Sequence, residues 1–177
     1  SGIVQAHRIT TLFSDLRSFT TISEGMTPQV LFAFLNEYLA QMQGSIDQND
    51  GFVDKFIGDA IMALFDQENE AQAESAVRAA IGMQKQLARW NATRKGPPHH
   101  AIASGIGIHT GEVMLGTLGN KTRIDSTVIG DAVNLASRLE GLTKYYGVRI
   151  IISEDTWSHL ERHAFASREL DLVSVKG

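Results

Sequence analysis

Apolar residues along the chain follow two different periods, and the switches between them divide it into elements. Residues 8–16 (RITTLFSDL) read as a buried strand that ends at Asp15 and turns through Arg17-Ser18. Thr27-Pro28 then marks a helix start, with Thr27 as N-cap and Pro28 in the first helical position. Leu31, Leu35, Tyr38, Met42 and Ile46 recur at three- and four-residue spacing and give this helix one apolar face, until Asn49-Asp50-Gly51 stops it. A strand over 52–56, a tight Ile57-Gly58-Asp59 turn and a strand over 60–65 predict a hairpin. Residues 70–94 predict a second long helix, its core stripe running through Ala73, Val77, Ala80, Ile81, Gln84, Leu87 and Trp90.

After a loop at 95–99 (KGPPH), the pattern predicts two strands over 102–109 and 112–118 joined through Thr110-Gly111. Residues 119–125 read as a polar, mobile stretch. A strand over 126–129, a helix over 131–144, a strand over 148–152, a short helix after Ser153 and a final strand over 168–175 complete the reading. Strands alternate with helices, but hairpins interrupt the alternation. This predicts an α+β fold, one mixed sheet with helices packed on it, rather than a doubly wound parallel sheet.

Length and composition narrow the function classes. The 177 residues suit a single domain over 1–177, and an apolar fraction of 43% supports a sizeable core. With 20% charged residues and only 3 prolines, the chain is neither disordered nor collagen-like. Lys and Arg number 16 against 20 Asp and Glu, a formal charge of −4, which argues against nucleic-acid binding through basic patches. There are no cysteines, hence no disulfide, thiolate or cysteine–zinc chemistry, which fits a reducing compartment. No apolar run reaches the roughly 18 residues of a membrane span, and no signal-peptide pattern opens the chain. The expectation is a cytoplasmic domain without a membrane segment of its own. Ser1-Gly2 reads as a cloning remnant, and the chain as a piece of a longer regulated protein that could itself be membrane-attached.

The candidate chemistry begins with two acids at strand ends, Asp15 and Asp59. If their strands are neighbours, the carboxylates converge and can hold hard divalent ions together with phosphate oxygens. Two such ions serve phosphoryl transfer. On spacing alone both also read as ordinary turn residues, since Asp is common in turns. Phe19, Thr20 and Thr21 can present backbone N–H groups to phosphates, or can simply belong to a strand-to-helix loop. Asn134 and Arg138 share one face of the 131–144 helix, where apolar neighbours leave little surface for water. Arg138 is a candidate for clamping a phosphate and Asn134 for orienting a ribose, although most Asn/Arg pairs on helices are merely solvated.

Four segments carry a resemblance. Residues 9–20 (ITTLFSDLRSFT), 51–65 (GFVDKFIGDAIMALF), 105–116 (GIGIHTGEVMLG) and 127–140 (TVIGDAVNLASRLE) resemble, in order, the class III nucleotide cyclase catalytic domain. The match spans nearly the whole chain, and it implies that family's ferredoxin-like, palm-type sheet.

The resemblance also implies roles. Asp15 and Asp59 match the two metal-binding aspartates, with the Leu16 carbonyl as an extra ligand, for two divalent cations, Mg²⁺ or Mn²⁺. Lys55 matches the purine reader that is typically Lys in adenylate cyclases and Glu in guanylate cyclases. Thr127 matches the second base reader and resembles the bacterial, class IIIb-like subgroup with Thr there. Asn134 matches the ribose-orienting residue, Arg138 the transition-state residue and Lys176 the triphosphate-binding lysine, while backbone at Phe19, Thr20 and Thr21 cradles phosphates. The implied activity is conversion of ATP to 3′,5′-cyclic AMP and pyrophosphate. One chain carries both halves of the family's shared site, which implies a head-to-tail homodimer with two sites, inactive as a monomer. One departure stands out. Glu112 occupies the place where some heterodimeric relatives carry a phosphate-binding arginine.

Several alternatives compete. A guanylate cyclase is opposed by Lys55 but permitted by Thr127. A catalytically silent dimerisation or nucleotide-sensing module predicts loss of Asp15, Asp59, Asn134 or Arg138, and all four are present. A diguanylate cyclase lacks support because the hairpin reads Ile57-Gly58-Asp59-Ala60. His159 and His163 are four apart, but Glu161 is central where zinc-protease helices need it beside a histidine, so a solvated helix face explains them. Gly105-Ile106-Gly107 is too short for a dinucleotide fingerprint.

Overall fold

The computed structural model describes residues 4–66, 71–118, 121–124, 126–161 and 163–171. Among the described residues β1 (Val4–Leu16) is at the centre of a six-stranded mixed sheet, antiparallel on one side to β3 (Ala60–Phe65) and on the other to β4 (Ser104–Leu118). Beyond β3 lies β2 (Phe52–Ile57). The far side of β4 is shared: β5 (Lys121–Ile124) pairs antiparallel with its end, and β6 (Ile150–Ile152) pairs parallel near its start. This is the α+β arrangement the alternation predicts.

Helices cover both faces, and the strand register shows which. Leu12, Ser14 and Leu16 share a face with Ile108, Ile106 and Ser104. Onto that face pack α2 (Pro28–Gln48) and α3 (Gln72–Thr93), building a core of Leu12, Phe34, Tyr38, Met42, Ile61, Phe65, Met83 and Trp90. Thr27 caps α2 as expected, its hydroxyl accepting from the Val30 amide at 3.3 Å, with Pro28 in the first turn. The opposite face carries Phe13 and Asp15 beside Gly107 and Gly105, and there α4 (Ser126–Tyr146) lies on the sheet. The approach is close: a Cβ on Gly107 would collide with the α4 main chain at Ala136, Leu139 and Glu140. Two short helices, α1 (Phe19–Glu24) and α5 (Glu154–Ser158), complete the order.

Several boundaries differ from the sequence reading. Thr110-Gly111 is not a turn, because β4 runs straight through it with Gly111 in register opposite Ile9. The 13-residue partner strand supplies continuous pairing, which outweighs a local turn preference. Residues 121–124, read as part of a mobile stretch, form β5. The expected strand over 126–129 is the first turn of α4, since a short apolar run does not distinguish strand from helix. Residues 19–24 are helical where a loop was open as a reading, and 168–171 form no strand, the rest of that expected element lying outside the described residues. No helix among the described residues is long and apolar enough to cross a membrane.

Candidate active site

β1 delivers Asp15 to the end of the sheet where its own strand stops, and the β2–β3 turn delivers Asp59 beside it. The register explains the meeting. Ser14 is opposite Ile61, so Asp15 comes level with Ala60 and the next residue in the turn is Asp59. Gly58 takes the left-handed conformation, with φ of 59°, that makes this tight turn possible. Asp59 is buried at 9% exposure, and its Oδ2 accepts from the Leu16 amide at 2.9 Å. The same Leu16 residue is the one expected to offer its carbonyl.

The electrostatics of the pair are those of two acids held in one place. Burial pushes the Asp15 carboxyl up to about 8, helped by a hydrogen bond to Asp59, by that residue's charge and by Glu140. Two neighbouring carboxylates poorly solvated by water are suited to a hard divalent cation, whose charge permits both to ionise. The donor set therefore fits the cations that the sequence implies, with Asp15, Asp59 and a main-chain oxygen as the protein's share.

Three neighbours of the pair escaped the sequence reading. Glu140 on α4 reaches over Gly105, the cross-strand partner of Asp15, and burial raises its carboxyl to about 7 while Arg17 acts in the opposite direction. Arg17 follows Leu16 directly, and its guanidinium Nη2 donates to the Val148 carbonyl at 2.8 Å. Tyr38 lies fully buried on the other face of the sheet, its hydroxyl raised above the usual phenol range first by burial, with Ser14 and Ser104 nearby. The pair of glycines at 105 and 107 is the sequence signal that α4 comes this near; nothing in the pattern identified which α4 residue would face Asp15.

The remaining expected residues are spread around this centre. Phe19, Thr20 and Thr21 open α1, three to five positions past Leu16, and Ser18 before them is left-handed at φ of 57°. Lys55 is on the edge strand β2, its side chain 55% exposed and its Nζ 3.8 Å from Asp54. A register shift between Val53 and Lys55 marks a bulge at this point. Asn134 and Arg138 lie on α4, Asn134 exposed and Arg138 half-buried, and neither bonds to Asp15 or Asp59 of the same chain. Thr127 falls in the first turn of α4, where only the backbone is described, and Lys176 lies outside the described residues. Glu112 is exposed on β4. Among the described residues no cluster of three or more His, Asp or Glu is arranged for a metal.

Comparison with known proteins bears on this arrangement. A family model described as the adenylate and guanylate cyclase catalytic domain matches residues 3–177. An adenylate cyclase of Anabaena cylindrica is 50% identical over 184 aligned positions, covering 99% of this chain and 36% of that protein. The terminal-differentiation-specific adenylate cyclase of Dictyostelium discoideum is 43% identical over 172 positions, covering 96% of this chain and 8% of its own length. The chain thus spans about a third or less of these curated relatives. Among solved structures, a guanylyl cyclase superposes with a TM-score of 0.77 at 34% identity, covering 98% of this chain and 89% of that one. The adenylyl cyclase CyaB from P. aeruginosa gives 0.68 at 33% identity, covering 89% and 82%.

Proposed function

The chain belongs to the adenylate and guanylate cyclase catalytic-domain family, and from that premise we propose that it makes 3′,5′-cyclic AMP and pyrophosphate from ATP. The observation that carries the reading is the convergence of Asp15 and Asp59, from two strands, on one buried point beside Leu16.

In this reading the ribose 3′-oxygen attacks the α-phosphorus in line, the bond to the pyrophosphate oxygen breaks, and the 3′-hydroxyl proton goes to solvent. Two divalent cations, Mg²⁺ or Mn²⁺ held by Asp15, Asp59 and the Leu16 carbonyl, would favour the ionised 3′-oxygen and neutralise phosphate charge. The chain's own groups do the rest. Backbone N–H groups at Phe19 to Thr21 and the ammonium of Lys176 hold the outer phosphates. Lys55 donates to adenine and Thr127 completes base recognition. Asn134 fixes the ribose, and Arg138 meets charge that grows on the α-phosphate only as the transition state forms. That timing makes its contribution large, about 3 to 4 kcal/mol.

Asn134 and Arg138 make no bond to the acids of their own chain. This supports a head-to-tail homodimer in which each chain lends them to its partner's Asp15 and Asp59. Turnover of ATP and GTP across a range of protein concentrations tests activity, base choice and dimerisation together. Cyclic AMP formation whose specific rate falls on dilution is the expected result; a concentration-independent rate would defeat the shared site. The guanylate reading is kept because a guanylyl cyclase aligns over 98% of the chain. Turnover of GTP without ATP would establish it instead.

A further inference from the structure

The end of β1 does more than hold the two acids, because the residue after Leu16 grips a different element. The Arg17 amide donates to the Ala103 carbonyl at 2.9 Å, keeping the backbone in the sheet, while its side chain crosses to the far end of α4. There Nη2 donates to the Val148 carbonyl at 2.8 Å. Val148 is also the residue that closes α4, its amide donating to the Thr143 carbonyl at 3.0 Å after Gly147 takes a left-handed φ of 65°. One turn before Thr143 on α4, Glu140 reaches over Gly105, the partner of Asp15, and the charge of Arg17 counters the rise of its carboxyl.

We propose that Arg17 is a positioning residue: by binding the Val148 carbonyl with its side chain and the Ala103 carbonyl with its amide, it locks the C-terminal half of α4 to the acid-bearing end of β1. The consequence concerns Asn134 and Arg138, which lie six and two residues before Glu140 on the same helix. This step rests on the shared-site reading, in which α4 serves the partner's substrate while β1 serves the chain's own. Arg17 then makes the residues a chain keeps and the residues it lends one rigid body.

Arg17→Met keeps the bulk of the side chain and removes both charge and donors; Arg17→Lys restores a charge and a donor. Backbone hydrogen exchange reads the lock directly. Arg17→Met is expected to speed exchange over 139–146 about tenfold while the centre of β1 is unchanged, with Arg17→Lys close to the unmodified chain. Unchanged exchange over 139–146 would overturn the proposal, whatever the oligomeric state. The second arm mixes an Asp59→Ala chain with an Arg138→Ala chain, which leaves one complete shared site. Placing Arg17→Met on the chain that lends Arg138 is expected to lower kcat about tenfold with KM little changed, because a small displacement of a transition-state group acts on rate. A loss seen only on the chain holding the acids, or equal in both placements, would also overturn it. An inactive mixture of the two unaltered partners would instead sink the shared-site reading, and the exchange result would still decide Arg17.

Discussion

The Leu16 amide donates to Oδ2 of Asp59 at 2.9 Å, so the turn between β2 and β3 is pinned to the end of β1 by the same side chain that faces Asp15. One carboxylate thus has two duties, one oxygen holding the fold and the group as a whole supplying charge. The two duties are separable by substitution.

Asp59→Asn keeps an oxygen acceptor for the Leu16 amide but removes the charge. Unfolding by urea should show a loss of about 1 kcal/mol or less, while turnover falls on the order of 10²-fold or more. Asp59→Ala leaves the buried Leu16 amide unpaired and should add about 1 to 3 kcal/mol of destabilisation to the same loss of turnover. Undiminished turnover in either variant would remove Asp59 from the site.

The Asp15 carboxyl makes a prediction about pH. In the folded chain without cations burial and Asp59 raise it from 3.8 to about 8, so between those values the folded state binds a proton that the unfolded state has released. Its contribution is fully present at low pH and is lost as pH rises towards 8. In chelator, thermal midpoints should therefore decline from about pH 5 to about pH 8 more steeply than in Asp15→Asn, which removes the titrating group. Added Mg²⁺ or Mn²⁺ should reverse the trend, because a cation favours the ionised pair and expels its proton. Calorimetry in two buffers of different ionisation enthalpy should detect that proton near neutral pH; equal heats in both would contradict the assignment.

Gly107 tests the seat of α4. A Cβ there meets main chain at Ala136, Leu139 and Glu140, which cannot rotate away as a side chain can. Gly107→Ala should cost about 1 to 3 kcal/mol and displace the helix that carries Asn134 and Arg138, so turnover should fall more than the lost stability explains. Gly141→Ala is the control. It lies on the same helix with nothing within 4 Å of the new methyl, and should leave turnover nearly unchanged while stability rises by about 0.5 to 1 kcal/mol, the helix preference of alanine over glycine.

These positions also show what could be read in the chain before its structure. α2 was legible because cap, proline and apolar spacing at Thr27, Pro28 and Leu31 to Ile46 all point the same way. Asp15 and Asp59 were legible as strand-end acids, and the family motifs singled them out. Gly111 misled because its conformation is set by pairing with Ile9, a contact about a hundred residues distant that no local window contains. Residues 126–129 misled for a different reason, since four apolar-rich positions suit either period. Glu140 and Arg17 stayed hidden because each acts across a layer, and the two glycines that open the space between α4 and β4 do not say what fills it.

On the proposed reading Lys55 carries the choice of base, and its setting makes the test clean. It lies on the edge strand β2 with its side chain 55% exposed, its ion pair with Asp54 is long at 3.8 Å, and a bulge precedes it. Neither the core nor the sheet depends on it, so Lys55→Glu should leave stability within about 0.5 kcal/mol. On the proposed reading, however, glutamate sets an acceptor against the acceptor N1 of adenine, and an unpaired contact of that kind is costly in a site that encloses the base. The expected result is a fall in kcat/KM for ATP of roughly tenfold to a hundredfold, with the purine preference moving towards GTP, whose N1–H and amino group can donate to the new carboxylate. Arg is the counter-test: Lys55→Arg keeps the donor and should retain ATP preference. If Lys55→Glu left the ATP to GTP ratio unmoved, Lys55 would be a solvated edge residue and the base would have to be read elsewhere on the chain.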